Sequence, residues 1–87
     1  MELQWTSKAV SDLARLYEFL ALVNRPAAAR TVQQLTAAPL TLLTNSRIGE
    51  RLDEFEPRDV RQLLVGSYEI ADATIYLLRL WHSREHR

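Results

Sequence analysis

The sequence of 87 residues contains no cysteine, which excludes both a disulfide framework and a thiolate metal site. It has no apolar run close to the roughly 18 residues that a membrane-spanning helix needs. Its opening residues, MELQWTSKAV, lack the order of a charged and then an apolar segment that marks a secretory signal. These absences predict a soluble, cytoplasmic protein without a membrane partner, and no motif indicates a cofactor.

An excess of charge of one sign is also missing. The 11 Lys and Arg residues balance the 11 Asp and Glu residues, and Lys8 is the only lysine. General nucleic-acid binders usually carry a clear positive excess, which this chain lacks. The charge is nevertheless uneven, because residues 50–59 are acidic and residues 79–87 are cationic. Any anionic target is therefore expected to contact the C-terminal end.

After a short strand predicted at residues 2–5, the sequence predicts two helices that form a hairpin. A hydroxyl of Thr6 or Ser7 is placed to cap the first helix. That helix is expected to end near Asn24, because Pro26 disfavours helical geometry at the preceding residue and suits the start of a second helix. The expected apolar stripe of the first helix comprises Val10, Leu13, Leu16, Tyr17, Leu20 and Val23, and the residues expected to face away from it are Asp12, Arg15 and Glu18.

The second half of the chain predicts strands. Residues 50–59 lack periodicity and are expected to form a loop. Strands at 61–65 and 68–70 are expected to follow, joined by a Gly66–Ser67 turn. The run TIYLLRLWH at residues 74–82 predicts a long strand that completes a small antiparallel sheet.

The chain, residues 1–87, is therefore predicted to be one α+β domain of order β-α-α-β-β-β, with the helical hairpin packed on the sheet. One hairpin covers one face of a sheet, whereas both faces of the 74–82 strand are apolar. The other face is expected to be an exposed apolar strip that a partner protein covers. The two faces are Ile75, Leu77, Arg79 and Trp81 on one side, and Tyr76, Leu78 and Leu80 on the other.

Several motifs occur in an order that resembles one known family. The motifs are the strand with Trp5 followed by TS, the DL pair Asp12–Leu13, NRPAAA at 24–29, Pro39, Gly49, Arg61, LLVGSYEI at 63–70 and IYLLRLWHSREHR at 75–87. In their order, spacing and total length they resemble the RelE/ParE superfamily of toxins from bacterial type II toxin–antitoxin systems, nearly from end to end.

The resemblance implies a toxin that a cognate antitoxin neutralises. ParE-like members of the superfamily bind DNA gyrase and carry no catalytic activity, whereas RelE-like members enter the ribosome and cut messenger RNA. The C-terminal strand looks more like the ParE side, and the neutral net charge agrees. The prediction is a gyrase inhibitor in a hetero-oligomer with a ParD-like antitoxin, contacting DNA only indirectly through that antitoxin. The alternative is a ribosome-dependent mRNA endoribonuclease.

One departure from the family pattern lies after Ile70. Family members usually continue YEI with several more strand residues, often an Arg-Tyr-Glu stretch, whereas here residues 71–73 follow at once. A strand of residues 68–70 is too short to pair fully with the strand at 74–82. A third hypothesis is therefore an inactivated toxin that is retained as an antitoxin-binding module.

The candidate site residues concentrate at the C-terminus. Under the ribonuclease alternative, His82 or His86 would titrate near neutrality, Glu85 would act as a base, and arginines would stabilise the anion. The same tail can equally be a solvated terminus that keeps an apolar strand soluble. The predicted target-binding residues are Arg79, Trp81, His82, Arg84 and Arg87; the ribonuclease set is Arg79, His82, Arg84, Glu85 and His86; and the predicted antitoxin-binding residues are Arg61, Tyr76, Leu78 and Leu80.

The spacing of His82 and His86 would place two metal ligands on one face of a helix. Their predicted context is a strand end, and no third ligand is evident. No metal site is therefore predicted.

Overall fold

The computed structural model describes residues 1–81, and the predictions made for residues 82–87 lie outside them. The predicted α+β order is confirmed. Residues 50–59, predicted to be a loop, also hold a short strand and a 3₁₀ turn. The elements are β1 (Glu2–Trp5), α1 (Ser7–Ala21), α2 (Arg25–Ala37), a 3₁₀ helix (Ala38–Leu43), β2 (Glu50–Arg51), a 3₁₀ turn (Asp53–Phe55), β3 (Asp59–Leu63), β4 (Gly66–Ala71) and β5 (Thr74–Leu80).

Within residues 1–81 the sheet has five strands in the order β1-β5-β4-β3-β2. Strands β3, β4 and β5 pair in antiparallel fashion, as predicted, and the unpredicted strand β2 pairs with β3 in the same way. Strand β1 adds to β5 in parallel, with Leu3 beside Ile75, so the sheet is mixed. Strand β5 is therefore an inner strand, with β1 on one side and β4 on the other. Parallel neighbours such as β1 and β5 cannot be joined by a tight hairpin, and here the helical hairpin and the other strands lie between them in the sequence.

The hairpin of β4 and β5 is not truncated. Strand β4 pairs with β5 from Ala71 opposite Thr74 to Gly66 opposite Leu80. The connecting residues Asp72 and Ala73 have φ values of 52° and 60°, which is the conformation that tight two-residue hairpins need. The prediction of a shortened middle strand is therefore wrong, because a tight turn takes only these two residues.

The connection between β3 and β4 also differs from the prediction. Leu63 pairs with Gly66, so the turn consists of Leu64 and Val65, and Gly66 and Ser67 belong to β4. Gly66 has no room for a side chain, because a Cβ atom there would overlap the carbonyl oxygen of Arg79. The glycine is used for a close approach between strands and not for a turn.

A β-bulge changes the face assignment at the end of β5. Tyr68 pairs with Leu77 and Ser67 pairs with Arg79, so Leu78 is one extra residue in β5. One extra residue reverses the alternation of faces beyond it. Leu80 is consequently buried in the core beside Leu77, and the prediction that it lies on the outward face with Leu78 is wrong.

Helix α1 packs on β5, and α2 packs on α1. The predicted apolar stripe is rotated relative to the observed one, because Val10 and Val23 are exposed while Asp12 is buried. Leu16 is buried as expected, and Leu13 and Leu20 pack against the core. The core consists of Ala9, Leu16, Leu35, Leu42, Tyr68, Ile75, Leu77 and Leu80.

The outer face of the sheet is not the predicted apolar strip. Because paired residues share a face, the register places Gln4, Tyr76, Glu69 and Val60 in one row on that face. Arg58 donates from Nη2 and Nε to the carboxylate of Glu69 at 2.7 and 3.0 Å. Val60 is buried, and the 3₁₀ turn packs against its strand. Within residues 1–81, the large exposed apolar side chains lie outside the strands.

Candidate functional site

A buried carboxylate joins the first helix to the last strand. Asp12 of α1 is 5% exposed. Its Oδ2 atom accepts from Arg79 Nε at 2.7 Å and from the backbone N–H of Leu80 at 3.1 Å. Its Oδ1 atom accepts from Arg79 Nη2 at 3.2 Å and from Arg15 Nη2 at 2.9 Å. Both oxygens are therefore saturated by donors, and the pair with Arg79 is bidentate.

The electrostatics of this contact favour the ionised carboxyl. Burial by itself would raise the pKa of Asp12, but the hydrogen bonds from Arg79 and Leu80 and the charges of Arg79 and Arg15 outweigh it. The pKa of Asp12 is therefore held below its ordinary value, and the hydrogen bond to Asp12 raises the pKa of Arg79. The ion pair is fully charged at neutral pH.

The other side of the strand end is held by the turn between β3 and β4. The backbone N–H of Trp81 donates to the carbonyl of Val65 at 2.9 Å, and its indole Nε1–H donates to the carbonyl of Leu64 at 2.7 Å. Trp81 directly precedes the cationic tail. We call Asp12, Arg79, Leu80 and Trp81, with the carbonyls of Leu64 and Val65, the tail clamp.

The tail clamp brings together two of the predicted target-binding residues, Arg79 and Trp81. His82, Arg84 and Arg87 lie outside the described residues, as do Glu85 and His86 of the ribonuclease set. Within residues 1–81, that set is represented by Arg79 alone, and its guanidinium is engaged by Asp12.

Asp12 itself was missed by the sequence prediction. The signal was present, because Ala9, Asp12, Leu13, Leu16 and Leu20 also follow helical spacing. An acidic residue in such a stripe is buried only where a cation reaches it, and the cation here comes from the opposite end of the chain.

The predicted antitoxin-binding residues are scattered. Arg61 donates from Nε to Asp59 at 2.9 Å and from Nη1 to the carbonyls of Arg47 and Gly49, both at 3.1 Å, so it ties the segment before β2 to β3. Tyr76 and Leu78 are half-buried in β5. Leu80 is in the core, where a partner cannot reach it without unfolding the strand end.

Tyr68 holds the same segment from the core side. Its hydroxyl donates to the carbonyl of Ser46 at 2.8 Å and accepts from the N–H of Gly49 at 2.9 Å. A Cβ atom on Gly49 would lie 2.7 Å from that hydroxyl, so a side chain does not fit there. Burial raises the pKa of Tyr68, which keeps the hydroxyl neutral and able to donate.

Three strongly exposed apolar residues lie at one end of the helical hairpin. Phe19, Leu22 and Val23 are 65%, 85% and 88% exposed. Phe19 is in the last turn of α1, Leu22 is the C-cap of that helix, and Val23 follows in the turn to α2. We call these three residues the hairpin-tip patch. Uncovered apolar clusters of this kind are typical of protein-binding surfaces.

In the part of the chain that the structure describes, no three His, Cys, Asp or Glu side chains are grouped as they would be around a metal ion. No helix within residues 1–81 is long and apolar enough to cross a membrane.

Comparison with known proteins places the chain in a family. The family described as "ParE toxin of type II toxin-antitoxin system, parDE" matches residues 3–87. The chain belongs to the ParE toxin family. This ParE-type toxin is also similar to a chain of the "Chromosomal ParDE TA system from P. aeruginosa", with a TM-score of 0.77 and 25% identity. The match covers 94% of this chain and 95% of that one.

No curated protein matches the ParE-type chain. Membership confirms the predicted toxin of a type II toxin–antitoxin system, and such a system implies an antitoxin partner. The fold, the family and the near-complete coverage agree with one another.

Proposed function

We propose that this ParE-type toxin inhibits DNA gyrase by binding to it, without catalysis of its own, and that a ParD-type antitoxin neutralises it in a hetero-oligomer. The observation that supports this most is the family match over residues 3–87. The working location would then be the cytoplasm, where gyrase acts, and any DNA contact would be made through the antitoxin.

The tail clamp is the proposed root of the gyrase-binding surface. Trp81 is fixed by its backbone and its indole, and Leu64 beside it is 75% exposed. A rigid aromatic residue next to an exposed apolar one is a common anchor of interfaces. His82, Arg84 and Arg87, which follow Trp81 in the sequence, would extend this surface.

The hydrogen bonds of Arg79 favour a toxin that acts by binding over one that cleaves RNA. A catalytic arginine has to reach the developing negative charge of the phosphate. Here the Nε and Nη2 groups of Arg79 are already directed at a buried carboxylate. The remaining groups of the ribonuclease set fall outside the described residues, so the two functions are best separated by experiment.

A paired assay makes this separation. The purified toxin is titrated into a supercoiling reaction with purified gyrase, and in parallel into a translation reaction whose mRNA is read by primer extension. The proposal predicts loss of supercoiling with intact mRNA. Cleaved mRNA with normal supercoiling would show the endoribonuclease instead. No effect in either assay, with normal growth when the toxin is induced without antitoxin, would show an inactivated toxin.

We propose the hairpin-tip patch as the main antitoxin-binding surface. The sheet face is less apolar than predicted, because Leu80 is buried in the core and Gln4 and Glu69 flank Tyr76. Phe19, Leu22 and Val23 offer the apolar area that a partner helix or strand would cover. Tyr76 and Leu78, which are half-buried, remain the candidates on the sheet side.

Two matched double variants compare these surfaces. Phe19→Ser with Val23→Ser changes the hairpin-tip patch, and Tyr76→Ser with Leu78→Ser changes the sheet side. We expect the first to weaken affinity for the cognate antitoxin by about tenfold or more, since hot-spot residues each contribute over about 1 kcal/mol. The affinity of the second variant for the antitoxin is expected to stay within about threefold of that of the unmodified toxin. The reverse order of effects would contradict the proposal.

A further inference from the structure

We propose that Asp12 is a positioning residue for the toxic activity: its carboxylate fixes the end of β5, after which the C-terminal segment follows in the sequence, although Asp12 does not touch the target. The inference rests on the proposed function, in which that segment carries the target-binding surface.

The strand end needs an outside support at this point. The bulge interrupts the register of β4 and β5 between Ser67 and Tyr68. Beyond it, the backbone N–H of Leu80 donates to Asp12 Oδ2 at 3.1 Å. The path of the chain after the bulge is therefore set by a side chain of α1 in addition to the ladder of the sheet.

Arg79 belongs to the same support. Its side chain is 47% exposed, yet its Nε and Nη2 groups both donate to Asp12, whose side chain is only 3% exposed. A bidentate pair fixes the plane of the guanidinium as well as its distance. Arg79 is therefore a second positioning residue, beside its predicted role as a target contact.

The residue that follows is held in a position that depends on this contact. Trp81 directly follows Leu80, and its N–H and indole N–H reach the carbonyls of Val65 and Leu64. Asp12 holds the strand end from the helix side, and the β3–β4 turn holds it from the sheet side. Removing the carboxylate removes the support from the helix side and leaves the pairing with β4 and the contacts with the β3–β4 turn.

Four variants test the proposal. Asp12→Asn keeps the shape and removes the charge, and Asp12→Ala removes every acceptor. Arg79→Gln removes the charge of the exposed partner in the same ion pair. Arg15→Gln is the matched control, because Arg15 donates to the same carboxylate from within α1, through a side chain that is 68% exposed. Urea unfolding of each variant confirms that it is folded.

The first measurement is the toxin concentration that half-inhibits gyrase supercoiling, set beside the affinity for the cognate antitoxin. We expect Asp12→Asn and Arg79→Gln to raise that concentration on the order of tenfold, with antitoxin affinity changed by less than about threefold. The Asp12→Asn/Arg79→Gln double variant should inhibit gyrase as well as the more impaired of the two single variants, because both substitutions act through one contact. Arg15→Gln should behave as the unmodified toxin does.

Two results would overturn the proposal. The first is wild-type gyrase inhibition by the Asp12 variants. The second is an equal loss of gyrase inhibition and antitoxin binding, which would indicate general damage to the fold.

The second measurement does not depend on the target. The NMR signal of the Trp81 indole N–H, assigned with Trp81→Phe, and the exchange rate of the Leu80 amide report the strand end directly. We expect the Asp12→Ala variant to shift the indole signal and to speed amide exchange, and Arg15→Gln to do neither. Unchanged spectra would overturn the positioning role even if gyrase is the target. Changed spectra in a toxin that leaves gyrase untouched would instead reject the proposed function.

Discussion

Arg79 in the last strand donates to Asp12 in the first helix from 67 positions further along the chain, with 2.7 Å between Nε and Oδ2. The contact joins α1 to the end of β5, shortly before the cationic tail begins in the sequence. Its surroundings, a bulge, a glycine and a saturated carboxylate, lead to predictions that can be checked without knowing the target.

Replacing the buried carboxylate should destabilise the toxin. Asp12→Ala leaves the N–H of Leu80 without its acceptor and releases Arg79. Because the freed guanidinium is half-exposed and can be hydrated, we expect a loss of about 2–3 kcal/mol in the free energy of unfolding, below the range for a fully buried pair. Urea denaturation measures this. Arg15→Gln, at an exposed partner, should cost at most about 0.5 kcal/mol; equal losses for the two variants would contradict the account.

The same carboxylate should contribute to acid sensitivity. Its pKa is lower in the folded state than its ordinary value of 3.8, so its contribution is present above that value and is lost as the pH falls further. Glu69, whose pKa is lowered by its hydrogen bond with Arg58, acts in the same direction. The urea concentration at the unfolding midpoint should therefore decrease as the pH is lowered below about 4, and it should decrease less for Asp12→Asn. Parallel pH profiles for the two proteins would show that Asp12 is not responsible.

The Tyr68 hydroxyl should matter for the segment before β2. Tyr68→Phe removes the acceptor of the Gly49 N–H and the donor to the Ser46 carbonyl. A buried polar group left unpaired costs about 1–3 kcal/mol, so we expect a loss of that size in urea unfolding. Tyr76→Phe is the matched control on the other face of the sheet and should change stability by less than about 0.5 kcal/mol. A Tyr68→Phe protein as stable as this control would refute the role of the hydroxyl.

Gly66 should tolerate no side chain. The Cβ atom of Gly66→Ala would overlap the carbonyl oxygen of Arg79, which is backbone and cannot swing aside. We expect a loss of about 1–3 kcal/mol, typical of overpacking, together with faster exchange of the Leu80 amide. Ser67→Ala, the next residue in β4, provides the comparison. If Gly66→Ala unfolds at the same urea concentration as Ser67→Ala, the close approach of the strands is not a constraint.

Local chemistry made much of the fold predictable. Thr6 caps α1 by accepting from the N–H of Ala9 at 3.2 Å, and Asn24 caps α2 by accepting from the N–H of Ala27 at 3.0 Å. Pro26 lies in the first turn of α2, as its fixed φ and missing N–H favour. The element order followed from such signals.

The remaining features depend on contacts between distant parts of the chain. The extra residue Leu78 leaves no mark on the apolar pattern, so Leu80 was assigned to the wrong face. The burial of Asp12 depends on Arg79, which reaches it from the other end of the sequence. The parallel pairing of β1 with β5 likewise joins the two ends of the sequence. The contact of Asp12 with Arg79 and the position of Leu80 belong to the tail clamp, so the fold was more predictable than the site.

The most direct test of the account is a titration of the purified toxin against DNA gyrase in a supercoiling assay, with and without the cognate antitoxin. The account predicts that supercoiling falls as the toxin is added and returns when the antitoxin is present in excess. Undiminished supercoiling with the folded toxin in large excess over gyrase would contradict it.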